Sequence, residues 1–388
     1  MVRSSKGTAS RITDVSESVI REMTRKADKF GAVNLSQGYP GYDPPRGVLE
    51  AAREALSSWD RNQYSITWGW KGLREEISRS FVEDRGVYPD PEREVTVTCG
   101  TSEAIISTIL GLVDPGDEVL VFQPFYENYI PAIRFAGGIP VISEIGKDMK
   151  IDMEDLENKI NHKTKMLLLN TPHNPSGKVF HKKDIRTLWE LCRDNDTYIL
   201  CDEIYEKIVY DGEHFSPLQI KEARGNTIVV SGISKTYSLT GWRVGYVVAE
   251  EEITRAIRKV HDYVTVCAPT PFQIAAVAAL GTKKEYYQDM VNYYRRSRDF
   301  MYGALKEIGL DPILPQGAYY MITYFDREDM DDIRFAERLV KDIGVAVVPG
   351  SSFYSYGGKN MIRFSFSPPM EELEEAVKRM RKGSGTLF

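Results

Sequence analysis

From residue 94 onward the chain repeats one pattern: a short run rich in valine, isoleucine and leucine, then a stretch of helical periodicity, then another apolar run. The runs are EVTVTCG (94–100), EVLVFQP (118–124), IPVISE (139–144), KMLLLNTP (165–172), YILCDEIY (198–205), TIVVSGIS (227–234) and RVGYVVA (243–249). Several are nearly continuous in apolar residues, as strands covered on both faces are, and such strands belong to largely parallel sheets. Between two of them, KDIRTLWELCRDN places Ile185, Leu188, Trp189 and Cys192 at i, i+3, i+4 and i+7, one face of a helix. Asn195 is a suitable stop just beyond. The alternation predicts a doubly wound α/β unit with a mainly parallel seven-stranded sheet between helices.

The texture changes near residue 283. KKEYYQDMVNYYRRSRDFMYGALKEIGL carries Met290, Tyr294, Met301, Leu305 and Ile308 along one stripe, a long amphipathic helix leading into a second unit. Beyond it GAYYMITY reads as a strand, FAERLVKDIG as a helix, and VAVVPG and MIRFSFS as strands, an α+β composition. Leu373, Val377 and Met380 share one face of a final helix. Ser367 before Pro368 is its expected N-cap, and the tail KGSGTLF is expected to be loose. The expected division is a large unit over residues 46–282 and a small one formed by 1–45 with 283–388.

A chain of 388 residues can fill two such units. Lys plus Arg is 50 against 56 Asp plus Glu, a net charge of −6, and no basic cluster is interleaved with aromatics. That balance argues against binding nucleic acid or an anionic membrane. Cys99, Cys192, Cys201 and Cys267 contain no C-x-x-C pair and the histidines have no ligand spacing, so neither a disulfide framework nor a metal site is expected. No window is long and apolar enough to span a bilayer, and the N-terminus has no apolar signal core. The expected location is the cytoplasm.

Open parallel sheets bind ligands beyond the carboxyl ends of their strands. The residues just past each run are therefore the candidates for chemistry. Gly100-Thr101-Ser102 opens a helix whose free N–H groups suit a phosphate. Tyr126 comes after the second run, Asn174 after the fourth, Asp202 and Tyr205 at the close of the fifth, and Ser234 and Lys235 at the close of the sixth. Singly, each has an ordinary explanation as a cap, a packed aromatic or a turn former. Together they gather a phosphate cradle, an aromatic plate, an amide, a carboxylate, a phenol and an amine on one edge. Asp202 is the sharpest, because a carboxylate closing the apolar YILCD run is buried and needs a partner. A nucleotide-hydrolase reading of that acidic strand needs G-x-x-x-x-G-K-[ST] elsewhere. Position 229 is Val and 234 is Ser before Lys235, and TPHNPSGKV has Pro172 and Val179 at the critical places, so that reading fails.

These residues identify a resemblance. From NLSQGYP (34–40) to MIRFSFS (361–367) the chain resembles the class I/II aminotransferases of fold type I, which depend on pyridoxal 5′-phosphate. The family's S-x-S-K-T-x-x-x-T-G-W-R-x-G is matched by residues 232–245, except that Gly232 stands where many members carry a serine. NLSQGYP, NTPHNPSGKVF and IRKVHDYVTVCAPTPFQ are most similar to the kynurenine, glutamine and methionine aminotransferase branch. The resemblance implies that Lys235 forms the Schiff base with the cofactor and that Asp202 pairs with its ring nitrogen. It implies that Tyr205 and Asn174 bond the ring oxygen, and that Tyr126 stacks on the ring. Gly100, Thr101, Ser102, Ser234 and Arg243 would hold the phosphate, leaving open whether Ser231 replaces the hydroxyl missing at Gly232. Arg363, Asn174 and Gly38 would form the substrate pocket. Tyr64 would reach the phosphate of a neighbouring subunit, which implies a homodimer with shared active sites.

The chemistry agrees with these residue types. A Schiff base needs a neutral lysine, which small groups and nearby cations favour. A buried aspartate keeps a pyridine nitrogen protonated, so the ring can absorb the charge left at a deprotonated Cα. Arginine's planar fork suits both phosphate and carboxylate. The expected reaction moves an amino group from an L-amino acid to a 2-oxo acid such as 2-oxoglutarate, by a ping-pong mechanism. Tyr39, Tyr64, Trp68, Trp70 and Tyr129 favour an aromatic or large neutral donor. The alternatives are an aspartate aminotransferase, or a C–S β-lyase on the same fold. A ligand-sensing regulator would need a DNA-binding domain for which the N-terminal stretch has no room.

Overall fold

In the computed structural model, which describes residues 9–13 and 15–387, the chain opens with α1 (Val19–Phe30), β1 (Val33–Asn34), α2 (Arg46–Leu56) and α3 (Lys71–Arg85). Next come β2 (Val95–Thr98), α4 (Thr101–Leu112), β3 (Glu118–Gln123), α5 (Tyr129–Phe135), β4 (Ile139–Glu144), α6 (Met153–Lys159) and β5 (Thr164–Asn170). The large unit is completed by α7 (Lys182–Asp194), β6 (Tyr198–Asp202), β7 (Thr227–Gly232), β8 (Gly245–Val248), α8 (Glu251–Val264) and α9 (Thr270–Leu280). Each of the seven apolar runs is a strand, and α7 buries the expected face through Ile185, Leu188, Trp189 and Cys192, with Asn195 as its C-cap.

The seven strands form one sheet in the order β2-β8-β7-β6-β5-β3-β4. Only β8 is reversed, antiparallel to both β2 and β7, so the sheet is mainly parallel as expected. Alternate residues feed two separate cores. Leu167, Leu169, Ile199 and Cys201 pack on one face. Met166, Leu168, Leu200 and Ile228 pack on the other. Helices cover both faces, which is why the runs are continuous in apolar residues rather than alternating. The register aligns Asn170 with Asp202 and Gly232 with Gly245. β7 and β8 therefore bring the Lys235 turn beside the Gly100 turn at the end of β2.

A third core joins the two ends of the chain. It contains Met23 and Ala27 of α1, Met290, Tyr294, Met301 and Leu305 of α10 (Lys284–Glu307), and residues beyond. Those residues form β9 (Asp311–Pro312), β10 (Tyr320–Tyr324), α11 (Asp332–Arg338), β11 (Val345–Ala346), β12 (Val348–Pro349), β13 (Met361–Ser365) and α12 (Met370–Leu387). We propose the unit boundaries at 45/46 and 282/283 on this basis. Residues 1–8 and 14 of the first segment lie outside the described residues.

Four details of the C-terminal part differ from expectation. VAVVPG is not one strand: β11 pairs in parallel with β1, and β12 pairs antiparallel with β13. The helix in FAERLVKDIG begins earlier, at Asp332, and ends in a π-helical turn, Leu339–Ile343. Ser367 is not the N-cap of α12. The residue before a proline is driven from helical geometry, so the Pro368-Pro369 pair delays the helix to Met370. The Pro369 carbonyl accepts from the Glu372 and Leu373 amides, while Ser367 Oγ lies 2.8 Å from Ser365 Oγ. The tail is not loose, since α12 continues to Leu387. Gly383 sits against Ile343, where an added Cβ would lie 2.1 Å from Ile343 Cδ1.

Among the described residues, no helix is long and apolar enough to cross a membrane. The central strands should carry the stability of the large sheet. Leu200→Ala, fully buried in β6, is expected to cost about 3 kcal/mol or more in urea unfolding, whereas Ile139→Ala at the edge strand, 50% exposed, should cost under about 1 kcal/mol.

Candidate active site

A cavity of about 360 Å³ opens beyond the carboxyl ends of the strands. Gly38, Thr101, Ser102, Tyr126, Asn174, Asp202, Tyr205, Ser234, Lys235, Arg243 and Arg363 all line it. Gly100 stands just behind, as the N-cap of α4. Tyr64 does not line it: its side chain is 83% exposed on the surface of this single chain. Of the aromatics named from sequence, Tyr39 and Tyr129 reach the wall, and Trp68 and Trp70 do not.

The acid is Asp202. It ends β6 fully inside the protein, and no cation pairs with it among the described residues. Its Oδ2 accepts from Tyr129 Oη at 2.8 Å and its Oδ1 from the Ile204 amide at 3.2 Å. Burial pushes its pKa from the ordinary 3.8 to about 6, against the pull of those hydrogen bonds. Asn170 holds the strand ends together, donating to the Asp202 carbonyl at 2.9 Å and accepting from the Asn174 amide at 2.7 Å.

The amine is Lys235. Its Nζ donates to the Gly38 carbonyl at 3.1 Å, and Tyr319 Oη donates to the same oxygen at 3.1 Å. Burial, and after it the positive charges of Arg363 and Arg243, pull the amine below its ordinary pKa. Gly38 has no room for a side chain, because an added Cβ would lie 1.9 Å from Tyr320 Oη. Tyr320 Oη in turn is 3.0 Å from Tyr205 Oη.

The phosphate cradle is built by close backbone approach. Among the described residues the Thr101 and Ser102 amides at the start of α4 meet no acceptor. Arg243 is held at φ +52°, a costly conformation for a non-glycine residue, with Nη1 donating to the Thr240 carbonyl at 2.9 Å. Gly232 faces Gly245, and a Cβ on Gly232 would lie 2.8 Å from both Gly245 Cα and Val244 O. Ser231 does not replace the missing hydroxyl. It points away from the cavity, donating to the Glu203 carbonyl at 3.4 Å and to Glu206 Oε1 at 3.3 Å.

Arg363 is 1% exposed, yet carries a guanidinium. Its Nη1 donates to Asn174 Oδ1 at 3.0 Å and its Nη2 to the Ser36 carbonyl at 2.6 Å, and its plane lies 4.2 Å from the Tyr320 ring. Its Nε has no partner among the described residues. A buried guanidinium without an anion is costly, and a carboxylate would offset the cost.

Sequence reasoning missed several contributors. Tyr320 comes directly after Tyr319 in the chain, and without the register of β10 neither could be assigned to the cavity. Glu103, in the first turn of α4, has the sequence setting of any acid at a helix start. One carboxylate oxygen accepts from the Cys99 amide and the other lies 2.6 Å from His261 Nδ1. His261 Nε2 lies 2.7 Å from the Thr67 carbonyl. Both ring nitrogens face acceptors, so this geometry requires the imidazolium, and Glu103 and Thr67 hold its pKa up against burial. The cradle is thus tied to the loop that carries Tyr64. Behind β6, Glu203, Glu206 and His214 could meet at a metal, but Arg85 already donates to both carboxylates.

A buried carboxylate without an ion-pair partner, an amine whose charged form burial disfavours, and free helix amides beside an arginine fit pyridoxal 5′-phosphate, whose ring nitrogen is basic and whose phosphate is dianionic. The fold and this donor set define a pyridoxal-phosphate enzyme of fold type I. The family model for aminotransferases of class I and II matches residues 31–380, and the chain belongs to that family. It is 36% identical to the probable aspartate aminotransferase of Methanocaldococcus jannaschii, over 95% of this chain and 97% of that one. It is 33% identical to human kynurenine–oxoglutarate transaminase 1, over 93% and 94%. A solved structure from Escherichia coli, described as having a methionine aminotransferase function, matches with TM-score 0.92 at 33% identity, covering 97% of this chain and 100% of that one. The protein is a pyridoxal-phosphate-dependent aminotransferase acting on amino acids and 2-oxo acids.

Asp202 gives a pH signature. Its folded value lies above its unfolded one, so the cofactor-free protein gains stability from the Asp202 proton below about pH 4 and loses it as pH rises to about 6. Asp202→Asn is therefore expected to stabilise the cofactor-free protein by about 1–3 kcal/mol near pH 7, with no comparable gain near pH 4. Melting temperatures of both proteins at the two pH values check this. A mutant difference independent of pH would contradict it.

Proposed function

We propose that this aminotransferase takes an aromatic or large neutral L-amino acid as donor and 2-oxoglutarate as acceptor, at sites shared between two copies of the chain. The observation that carries the assignment of roles is Lys235 and Asp202 lining one cavity with the buried Arg363. The bound cofactor supplies a ring that accepts the electron pair left when Cα is deprotonated. Asp202 would hold the ring nitrogen's positive charge, and Tyr205 with Asn174 would bond the ring oxygen. Tyr126 would cover the ring. The Thr101 and Ser102 amides, with Ser234 and Arg243, would hold the phosphate. Arg363 grips the substrate α-carboxylate, presenting the Cα–H to Lys235 Nζ, which takes the proton as general base. Two half-reactions at one site give ping-pong kinetics.

The donor preference is supported by the apolar and aromatic part of the wall, Ile20, Tyr39, Ile105, Tyr126 and Tyr320. The dimer is supported by an exposed apolar face. Tyr64, Ile66 and Trp70 lie on a loop bonded to α9, where Thr270 Oγ1 accepts from the Ser65 amide at 3.1 Å and Gln273 Oε1 from the Trp70 amide at 2.6 Å. Exposed Tyr263, Val264 and Val266 come just before that helix. A patch of this kind suits a self-complementary interface.

Lys235→Ala is expected to lower turnover by about 10³-fold or more. A donor panel, read by the cofactor's absorbance change, should favour tyrosine, phenylalanine, tryptophan or methionine; aspartate outrunning them all would overturn the donor assignment. Shared sites predict complementation. Mixing Lys235→Ala chains with Tyr64→Ala chains should restore activity that neither has alone, because one site of each hybrid is intact. No recovery in verified hybrids would contradict the role given to Tyr64.

A further inference from the structure

The substrate end of the cavity holds a second arginine that the proposed mechanism leaves unused. Arg21 lines the wall beside Ile20, Tyr39, Tyr126 and Glu127. It is the third residue of α1, behind Ser18, whose Oγ accepts from the Arg21 amide at 3.3 Å. A cation in a helix's first turn opposes the positive end of the helix dipole, an unfavourable placement. The neighbouring acids make their direct pairs elsewhere, although the Glu17 charge still acts on Arg21. Glu17 pairs with Arg25 at 2.7 Å, Glu22 with Lys26 at 2.8 Å, and Glu127 Oε1 accepts from the Ser18 hydroxyl. Among the described residues the Arg21 guanidinium makes no ion pair and no hydrogen bond. On an open surface such an arginine would be unremarked. Here it shares a cavity with Arg363, one exposed at the mouth and the other buried inside.

An inner and an outer cation on one small cavity match a dicarboxylate. We propose that Arg21 is the specificity residue for the dicarboxylic half of the reaction, taking the far carboxylate of 2-oxoglutarate and of the glutamate it becomes. This rests on the reading of the cavity as the substrate site. A neutral side chain leaves the long, exposed arginine in water and packs on Ile20 and Tyr39 instead, so one pocket serves both half-reactions. Glu127 lies on the same wall and opposes a second carboxylate.

The test uses holoenzyme, with Arg21→Gln, Arg21→Lys and Glu127→Gln. One readout is the ratio of kcat/KM for 2-oxoglutarate to kcat/KM for phenylpyruvate. The other is equilibrium binding of glutarate against pentanoate, which needs no turnover. Arg21→Gln should lower the ratio about tenfold or more and weaken glutarate about tenfold relative to pentanoate. Arg21→Lys should recover part of both, and Glu127→Gln should leave glutarate binding unchanged or tighter. If Arg21→Gln changes both acids equally, or if Glu127→Gln rather than Arg21→Gln abolishes the discrimination, the assignment is wrong. If the wild type fails to aminate phenylpyruvate, the neutral-substrate reading fails, while the glutarate comparison still decides Arg21.

Discussion

A carboxylate buried at the end of β6 with no ion-pair partner among the described residues is the constraint on which the rest of this structure turns. Burial holds the Asp202 proton until about pH 6, where an exposed aspartate has already lost it near 4, and Tyr129 and the Ile204 amide are the carboxylate's only hydrogen-bond donors among the described residues. The fold bears that cost because the pyridoxal phosphate on which its family depends has a ring nitrogen able to carry the missing charge. The sheet then decides what can stand around it. β7 lies beside β6, so Lys235 arrives on the same rim, and the reversed β8 brings the Gly100 turn within reach of Arg243.

The charges sort in the same way. The chain as a whole is acidic, at −6, yet its cavity presents Arg21, Lys235, Arg243 and Arg363 against Asp202 and Glu127. An acidic exterior with a cationic interior suits small anions and discriminates against polyanions. Each cation also stands in a distinct setting. Arg363 is desolvated and clamped, Arg243 is strained at the cradle, Lys235 is lowered by burial and then by both arginines, and Arg21 is wet.

Much of this was legible in the sequence because it depends on local order. Continuous apolar runs reported strands covered on both faces, and residues just after those runs had to share a rim, whatever the exact pairing. That logic reached Thr101, Asn174, Asp202, Ser234 and Lys235. It did not reach Tyr320, Asn170 or the His261–Glu103 contact, which depend on register and on elements far apart in the chain. Arg21 was invisible because α1 is placed by the third core, assembled from both ends of the chain. The α12 boundary was misjudged for a local reason, since the second of two prolines forbids helix at the first.

The contact between Gly232 and Gly245 has a consequence for how this active site can change. Restoring the hydroxyl that many relatives carry would put a Cβ into the facing strand, 2.8 Å from Gly245 Cα. Gly245 is itself wedged against the Gly100 carbonyl carbon, where a Cβ would fall at 2.5 Å. Gly232 and Gly245 are each blocked by the next segment's backbone, whereas a Cβ on Gly100 would run into the Arg243 guanidinium. Mutational drift at this cup is therefore coupled: a serine at 232 becomes accessible only after the neighbouring strand has moved.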